Sequence, residues 1–182
     1  NDHPEHEFYF FFDRPYDESF IFSENVNPVV LFPQARHPFL FVWWFEWSIS
    51  FALKKHKIDL FISPDNFCSL STSVPTLLVV HDLAFRHYPE QVGWLVRKYY
   101  NFFMPRFLRK ADRIVTVSEF TKSDLIAQYQ LVKEKIAVAC NGTNNHFKPI
   151  SVPEQKLIRK KYTDGAPYFV FVGLIHPRKN VH

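Results

Sequence analysis

His81 and Asp82 stand side by side at the end of an apolar run, Thr76-Leu77-Leu78-Val79-Val80. An imidazole next to a carboxylate can move a proton, accept a hydroxyl hydrogen bond or steady a developing charge. The run before them carries no charge and is bounded by Pro75, which predicts a strand, Thr76–His81, buried on both faces of a parallel sheet. In open parallel α/β sheets, ligands bind in the crevice outside the carboxyl ends of the strands. The plainer alternative is a turn in which Asp82 caps the next segment and His81 packs. A second such end follows Arg113–Val117, where Ser118 and Glu119 either cap a helix over Lys122–Tyr129 or face a ligand. Near the C-terminus a third apolar run, Tyr168–Val172, meets Gly173 and then a basic loop, His176-Pro177-Arg178-Lys179-Asn180.

Other chemistries find less support. No Gly-x-Ser-x-Gly nucleophile elbow is present. The chain has 9 histidines, and His3-Pro4-Glu5-His6 is the closest cluster, but it lacks the i, i+4 spacing that puts two ligands on one helix face. No metal site is expected. The two cysteines, Cys68 and Cys140, make no disulfide framework and suit a reducing compartment. Asn141-Gly142-Thr143 matches a glycosylation sequon, which a cytosolic protein would not use.

The elements that must hold these residues alternate between strand and helix. Short apolar strands are predicted at Glu7–Asp13, Pro28–Phe32, Asp59–Ser63, Thr76–His81, Arg113–Val117, Lys135–Ala139 and Tyr168–Val172. Helices are predicted at Pro38–Leu53, within Pro89–Ala111 with a kink at Pro105, at Lys122–Tyr129 and at Pro153–Tyr162. That order is the signature of βαβ units around a parallel sheet. The Phe- and Trp-rich Pro38–Leu53 run is shorter than the roughly 20 apolar residues of a membrane span, and Glu46 interrupts it. It is read as a helix packed on the sheet or as a membrane or partner contact. Pro89–Ala111 sets an apolar side against Arg97, Lys98, Arg106, Arg109 and Lys110. Such a helix covers a core with a solvated face, or lies on an anionic membrane.

Composition bounds the rest. A chain of 182 residues, 47% hydrophobic and 22% charged, folds as a globular domain or as one domain and part of another. Only 4 glycines are present, and no glycine-rich turn follows the first strand. The first residue is Asn1 rather than Met, which suggests a fragment, so no signal peptide can be judged. A net charge of +4 permits contact with anionic lipid or phosphate. No nucleic-acid-binding signature accompanies it, and nucleic acid is not an expected partner.

Four blocks together carry a resemblance. They are Val80-His81-Asp82-Leu83; Arg109 to Lys122, with Ala111-Asp112-Arg113-Ile114-Val115-Thr116-Val117-Ser118-Glu119 at its centre; Asn141-Gly142; and Phe169-Val170-Phe171-Val172-Gly173 with Pro177-Arg178-Lys179-Asn180. In this order and approximate spacing the chain, from about Glu7 to Val181, resembles glycosyltransferase family 4, the bacterial-type "glycosyl transferases group 1" enzymes of GT-B fold. The resemblance implies two Rossmann-like domains facing each other across a cleft, each a parallel sheet flanked by helices. Residues 1–148 would be the acceptor-side domain, missing its first strand and glycine-rich loop. Residues 149–182 would be a linker and the first strand of the sugar-nucleotide-binding domain. The implied reaction is sugar transfer from a sugar nucleotide to a glycan or lipid-linked acceptor, with retention of configuration and no bound metal or other cofactor. The implied place is the cytoplasm, with peripheral contact at the inner face of the membrane.

By the same resemblance, His81 lies at the cleft near the donor sugar, with Asp82 beside it. Lys179 pairs with the donor diphosphate, Arg178 assists, and Gly173 lets the backbone approach the nucleotide. Leu174 stands where many members carry an arginine, and the downstream Glu-x7-Glu motif does not occur. The isolated chain is therefore expected to be inactive. The alternative is a non-catalytic GT-B half-domain that binds a membrane surface or a protein partner.

Overall fold

The computed structural model describes residues 3–143, 147–175 and 179–181. The chain divides into two compact units, Asn1–Cys140 and Asn141–His182.

Among the described residues the first unit holds six parallel strands in two sheets. β1 (Phe8–Phe12) pairs with β2 (Val26–Val30) in register Phe8 to Val26. β2 begins two residues before the predicted strand and includes Pro28. A two-stranded sheet leaves one edge of each strand unpaired, so a residue without an N–H is accepted there. β3 (Phe61–Ser63), β4 (Thr76–Val80), β5 (Arg113–Thr116) and β6 (Ile136–Val138) follow one another across the second sheet. Leu78 lies opposite Ile114, and Ile114 opposite Ile136.

The links from β2 to β3, β4 to β5 and β5 to β6 are helical, while residues 64–75 join β3 to β4 without a helix. α1 (Pro38–Trp43) continues through a π-helical stretch, Trp44–Ile49, into α2 (Ser50–Lys55). α3 (Ala84–His87) and α4 (Trp94–Lys110) join β4 to β5, and α4 runs on through Pro105. α5 (Glu119–Tyr129) joins β5 to β6.

One core ties the strands to the helices. Leu78, Val80 and Ile114 from the sheet pack with Ile49 and Leu53 from the π stretch and α2, and with Met104, Phe107 and Leu108 from α4. Each such aliphatic side chain contributes about 1.5–3 kcal/mol by leaving water. β1 joins the same core through Phe11. The start of β4 is latched to the end of α4. Asp112 accepts from the Thr76 N–H at 2.8 Å, and its own N–H donates to the Thr76 carbonyl at 2.9 Å. Glu46, the charge inside the aromatic helix, accepts from the N–H groups of Leu70 and Ser71 at 2.8 and 2.9 Å. It thereby holds the loop after β3 against the helix.

The second unit contains α6 (Val152–Thr163), which starts with a reciprocal capping box between Ser151 and Glu154 and buries none of its residues. Asp164 in the left-handed region ends it, followed by Gly165. The predicted strand Tyr168–Val172 is corrected here: it forms no ladder among the described residues, and its side chains are exposed. A strand exists only against a neighbour, and the described part of this unit offers none.

Candidate functional site at the carboxyl edge of the sheet

β4 ends at Val80, and His81 emerges directly beyond it at the carboxyl edge, exposed to solvent. Three contacts fix it, two from the loop after β3 and one from α5. Its N–H donates to Asn66 Oδ1 at 2.9 Å, and its ring Nε2 lies 2.7 Å from the Pro64 carbonyl. Its own carbonyl accepts from the Thr121 hydroxyl at 3.1 Å. A carbonyl can only accept, so the Pro64 contact requires a proton on Nε2. Nδ1 is then the second ring nitrogen, an acceptor when the ring is neutral and a donor when it is protonated.

The neighbours are built to hold this geometry. Asn66 sits at φ 36°, in the left-handed region that asparagine tolerates, and its N–H donates to the Val79 carbonyl at 3.0 Å. Thr121 belongs to the first turn of α5, where Ser118 caps the helix by accepting from the Thr121 N–H at 3.1 Å. Ser118 is thus a structural cap, and its effect reaches His81 through Thr121. Asp82 does cap the next segment, since its Oδ1 accepts from the Ala84 N–H at 2.9 Å at the entry to α3. The carboxylate is exposed at the same edge as His81.

Two features of this edge escape a linear reading. Tyr100, on α4, comes close to the Asn66 side chain. Burial raises its phenol pKa, Asn66 pulls it down by less, and the nearby charges of Asp65 and Asp82 push the same way as burial. Further along, His87 Nε2 and Asp124 Oδ2 meet at 2.6 Å between α3 and α5. Asn66 is visible in the sequence only as part of a Pro-Asp-Asn turn. Tyr100, His87 and Asp124 carry no local signal, because their partners lie on other elements.

The residues assigned to the donor fall in the second unit. Gly173 adopts φ +148°, which side chains of L-residues rarely take, and an added Cβ would stand 3.3 Å from the Phe171 ring. Lys179 is exposed. Arg178 lies outside the described residues. His81 and Asp82 are therefore brought together on one edge, while Gly173 and Lys179 belong to a separately described unit. At the start of the chain, His3, Glu5 and His6 bring ligand atoms within 4.8 Å of one another on the surface, and exposed groups of this kind are common without an ion.

His81 thus stands at the carboxyl edge of a parallel α/β sheet, where such folds bind their ligands. The profile of Glycosyltransferase Family 4 matches residues 4–147. The chain belongs to that family. It is 27% identical over 119 residues to the O-antigen chain mannosyltransferase RfbU of Salmonella typhimurium, a match spanning 63% of this chain and 30% of the relative. Among solved structures, a glycosyltransferase from Rickettsia africae superposes with a TM-score of 0.57 at 21% identity, over 90% of this chain and 42% of the other. The chain thus spans about a third of the curated relative that it matches. Among the described residues no helix is long and apolar enough to cross a membrane.

Proposed function

We propose that the protein transfers a sugar from a sugar nucleotide to a glycan or lipid-linked acceptor, with retention of configuration and without a bound metal. The hexose class of the sugar follows the name of the Salmonella relative. Residues 1–148 form the acceptor-side domain in this reading, and residues 149–182 open the sugar-nucleotide-binding domain.

The observation that carries the proposal is the fixed, exposed imidazole at the sheet edge, with Nε2 tied to the Pro64 carbonyl. There it hydrogen-bonds a sugar hydroxyl and offsets charge as the glycosidic bond loosens. Asp82 positions the His81 loop through its cap on α3 and stands ready to contact the acceptor. Lys179, assisted by Arg178, supplies point charge to the leaving diphosphate, and Gly173 admits the nucleotide close to the backbone. The reaction takes place in the cytoplasm, with the protein resting at the inner face of the membrane where a lipid-linked acceptor is found.

The test is transfer and donor binding by the full-length protein, alongside the 182-residue chain alone. The full-length protein is expected to transfer sugar from a sugar nucleotide without added metal. The isolated chain is expected not to, and robust transfer by it would show that the donor site needs nothing beyond these residues. The alternative, a half-domain that only binds a membrane or protein partner, predicts no sugar-nucleotide binding by the full-length protein.

A further inference from the structure

Away from the sheet edge, two helices of the first unit present a surface that the transfer chemistry does not use. Phe39, Trp43, Trp47 and Phe51 follow one another at four-residue steps along α1, the π stretch and α2, all between 55% and 72% exposed. Four residues overshoot one α-helical turn by about 40°, so such a row normally winds away from its face. The π turn holds more residues and brings the Trp43-to-Trp47 step back toward the line. The two indole rings lie 5.3 Å apart.

α4 carries a second row, Trp94, Lys98, Phe102 and Arg106, also at four-residue steps. Here aromatic and cation alternate. Lys98 Nζ sits 4.3 Å from the centre of the Trp94 ring, and the Arg106 guanidinium carbon 3.6 Å from that of Phe102. Between the rows runs a groove of about 570 Å³, walled by Val42, Trp43 and Trp47 on one side and Leu95, Phe102 and Phe103 on the other, with Lys98 its one charged group.

Charge says what covers this face. α4 contains Arg97, Lys98, Arg106, Arg109 and Lys110 and no acidic residue. The first helix has a single acid, Glu46, and that carboxylate is engaged by the N–H groups of Leu70 and Ser71. Lys54 and Lys55 close its C-terminal end. A second copy of the chain docked symmetrically would set one basic row against another, which like-charge repulsion disfavours. A bilayer of anionic phospholipid supplies the complement: phosphates for Lys98 and Arg106, and an interfacial zone in which indole and phenyl rings are favoured.

We infer that the face formed by the Phe39–Phe51 row and the Trp94–Arg106 row is an interfacial docking surface for an anionic phospholipid membrane, with the groove between them receiving acyl chains. This names the surface for the membrane contact of the proposed function. It stands on the two helices and is independent of the transfer reaction.

The experiment is co-flotation of the full-length protein with phosphatidylcholine vesicles, with and without phosphatidylglycerol. Binding to the phosphatidylglycerol vesicles is expected, weakening as salt is raised and accompanied by a blue shift of tryptophan emission. The pair Lys98→Ala with Arg106→Ala is expected to weaken partitioning by about fivefold for each cation removed. The pair Trp43→Ser with Trp47→Ser, both exposed, should remove most of the binding while circular dichroism stays unchanged, and with it most of the blue shift, the Trp94 contribution included. Failure to bind phosphatidylglycerol vesicles overturns the inference. So does a concentration-dependent dimer that the tryptophan pair abolishes. Sugar-nucleotide binding measured without vesicles should be the same in all variants, so loss of the lipid result and loss of the transferase reading appear in different assays.

Discussion

Two apolar runs of five residues, Thr76–Val80 and Tyr168–Val172, begin alike and end differently. Each is rich in β-formers and precedes a polar or basic loop. In the first, Thr76, Leu78 and Val80 are fully buried between neighbours on both sides, β3 and β5. In the second, Phe169 and Val172 are exposed and no ladder forms among the described residues. β-propensity describes fitness for a half-buried pleated surface, so it yields a strand only where other strands supply that surface. The loop beyond each run inherits the difference. His81 is held by Pro64 and Asn66 of the loop after β3 and by Thr121 of α5, whereas Lys179 is simply exposed.

The largest effect that sharpens this contrast comes from truncating one side chain in each run. Leu78→Ala should cost about 2–5 kcal/mol in urea unfolding, as for other fully buried leucines. Val170→Ala should stay within about 0.5 kcal/mol of the parent. Comparable losses at both sites would mean that the second run is packed as a strand after all.

A smaller effect comes from acid. Arg14, bonded to Asp13 at 2.6 Å, together with the Ala35 N–H at 2.9 Å, holds the Asp13 carboxyl below its usual range. A lowered folded pKa stabilises the fold fully above the unfolded value of about 3.9, and that stabilisation is lost as pH falls through the folded value. Asp13→Asn should therefore lower Tm near neutrality and flatten its fall toward acid. Glu154 is also lowered, by the Ser151 hydroxyl and N–H, but it lies on a helix with no buried residue. Glu154→Gln should leave the thermal unfolding of the first unit unmoved at every pH. Equal acid limbs in the two variants would erase the distinction between the units.

The smallest effect is a labelling pattern. Burial, with Glu46 adding to it, pushes the Cys68 thiol up to about 12, while Cys140, the last residue of the first unit, is exposed. A thiol reagent near neutral pH should modify one cysteine in the native protein, Cys140, and both after denaturation. Rapid native labelling of Cys68 would contradict the packing assigned to the core.

Much of this architecture is readable along the chain because its signals are local. Apolar runs bounded by proline locate β4, Ser118 marks the start of α5 as its cap, and Asp164-Gly165 ends α6. His81 is legible as a site residue because it follows a buried run, and strand ends are where parallel sheets bind ligands. What is not legible is whatever depends on a distant partner. Parallel pairing of β1 with β2, the anchoring of the loop after β3 by Glu46, and the meeting of His87 with Asp124 all join residues far apart in sequence. The missing ladder at Tyr168–Val172 is the same lesson reversed, a local signal with no partner.

The central claim is that His81 serves the reaction and Lys179 serves the donor. Its most direct test compares His81→Ala and Lys179→Ala in the full-length protein, with sugar-nucleotide affinity and turnover measured separately. His81→Ala should lower kcat by about 10²-fold, the scale of losing one preorganised hydrogen-bonding group, with little change in donor Kd. Lys179→Ala should weaken donor binding first. Unchanged binding and turnover in both variants would contradict the account.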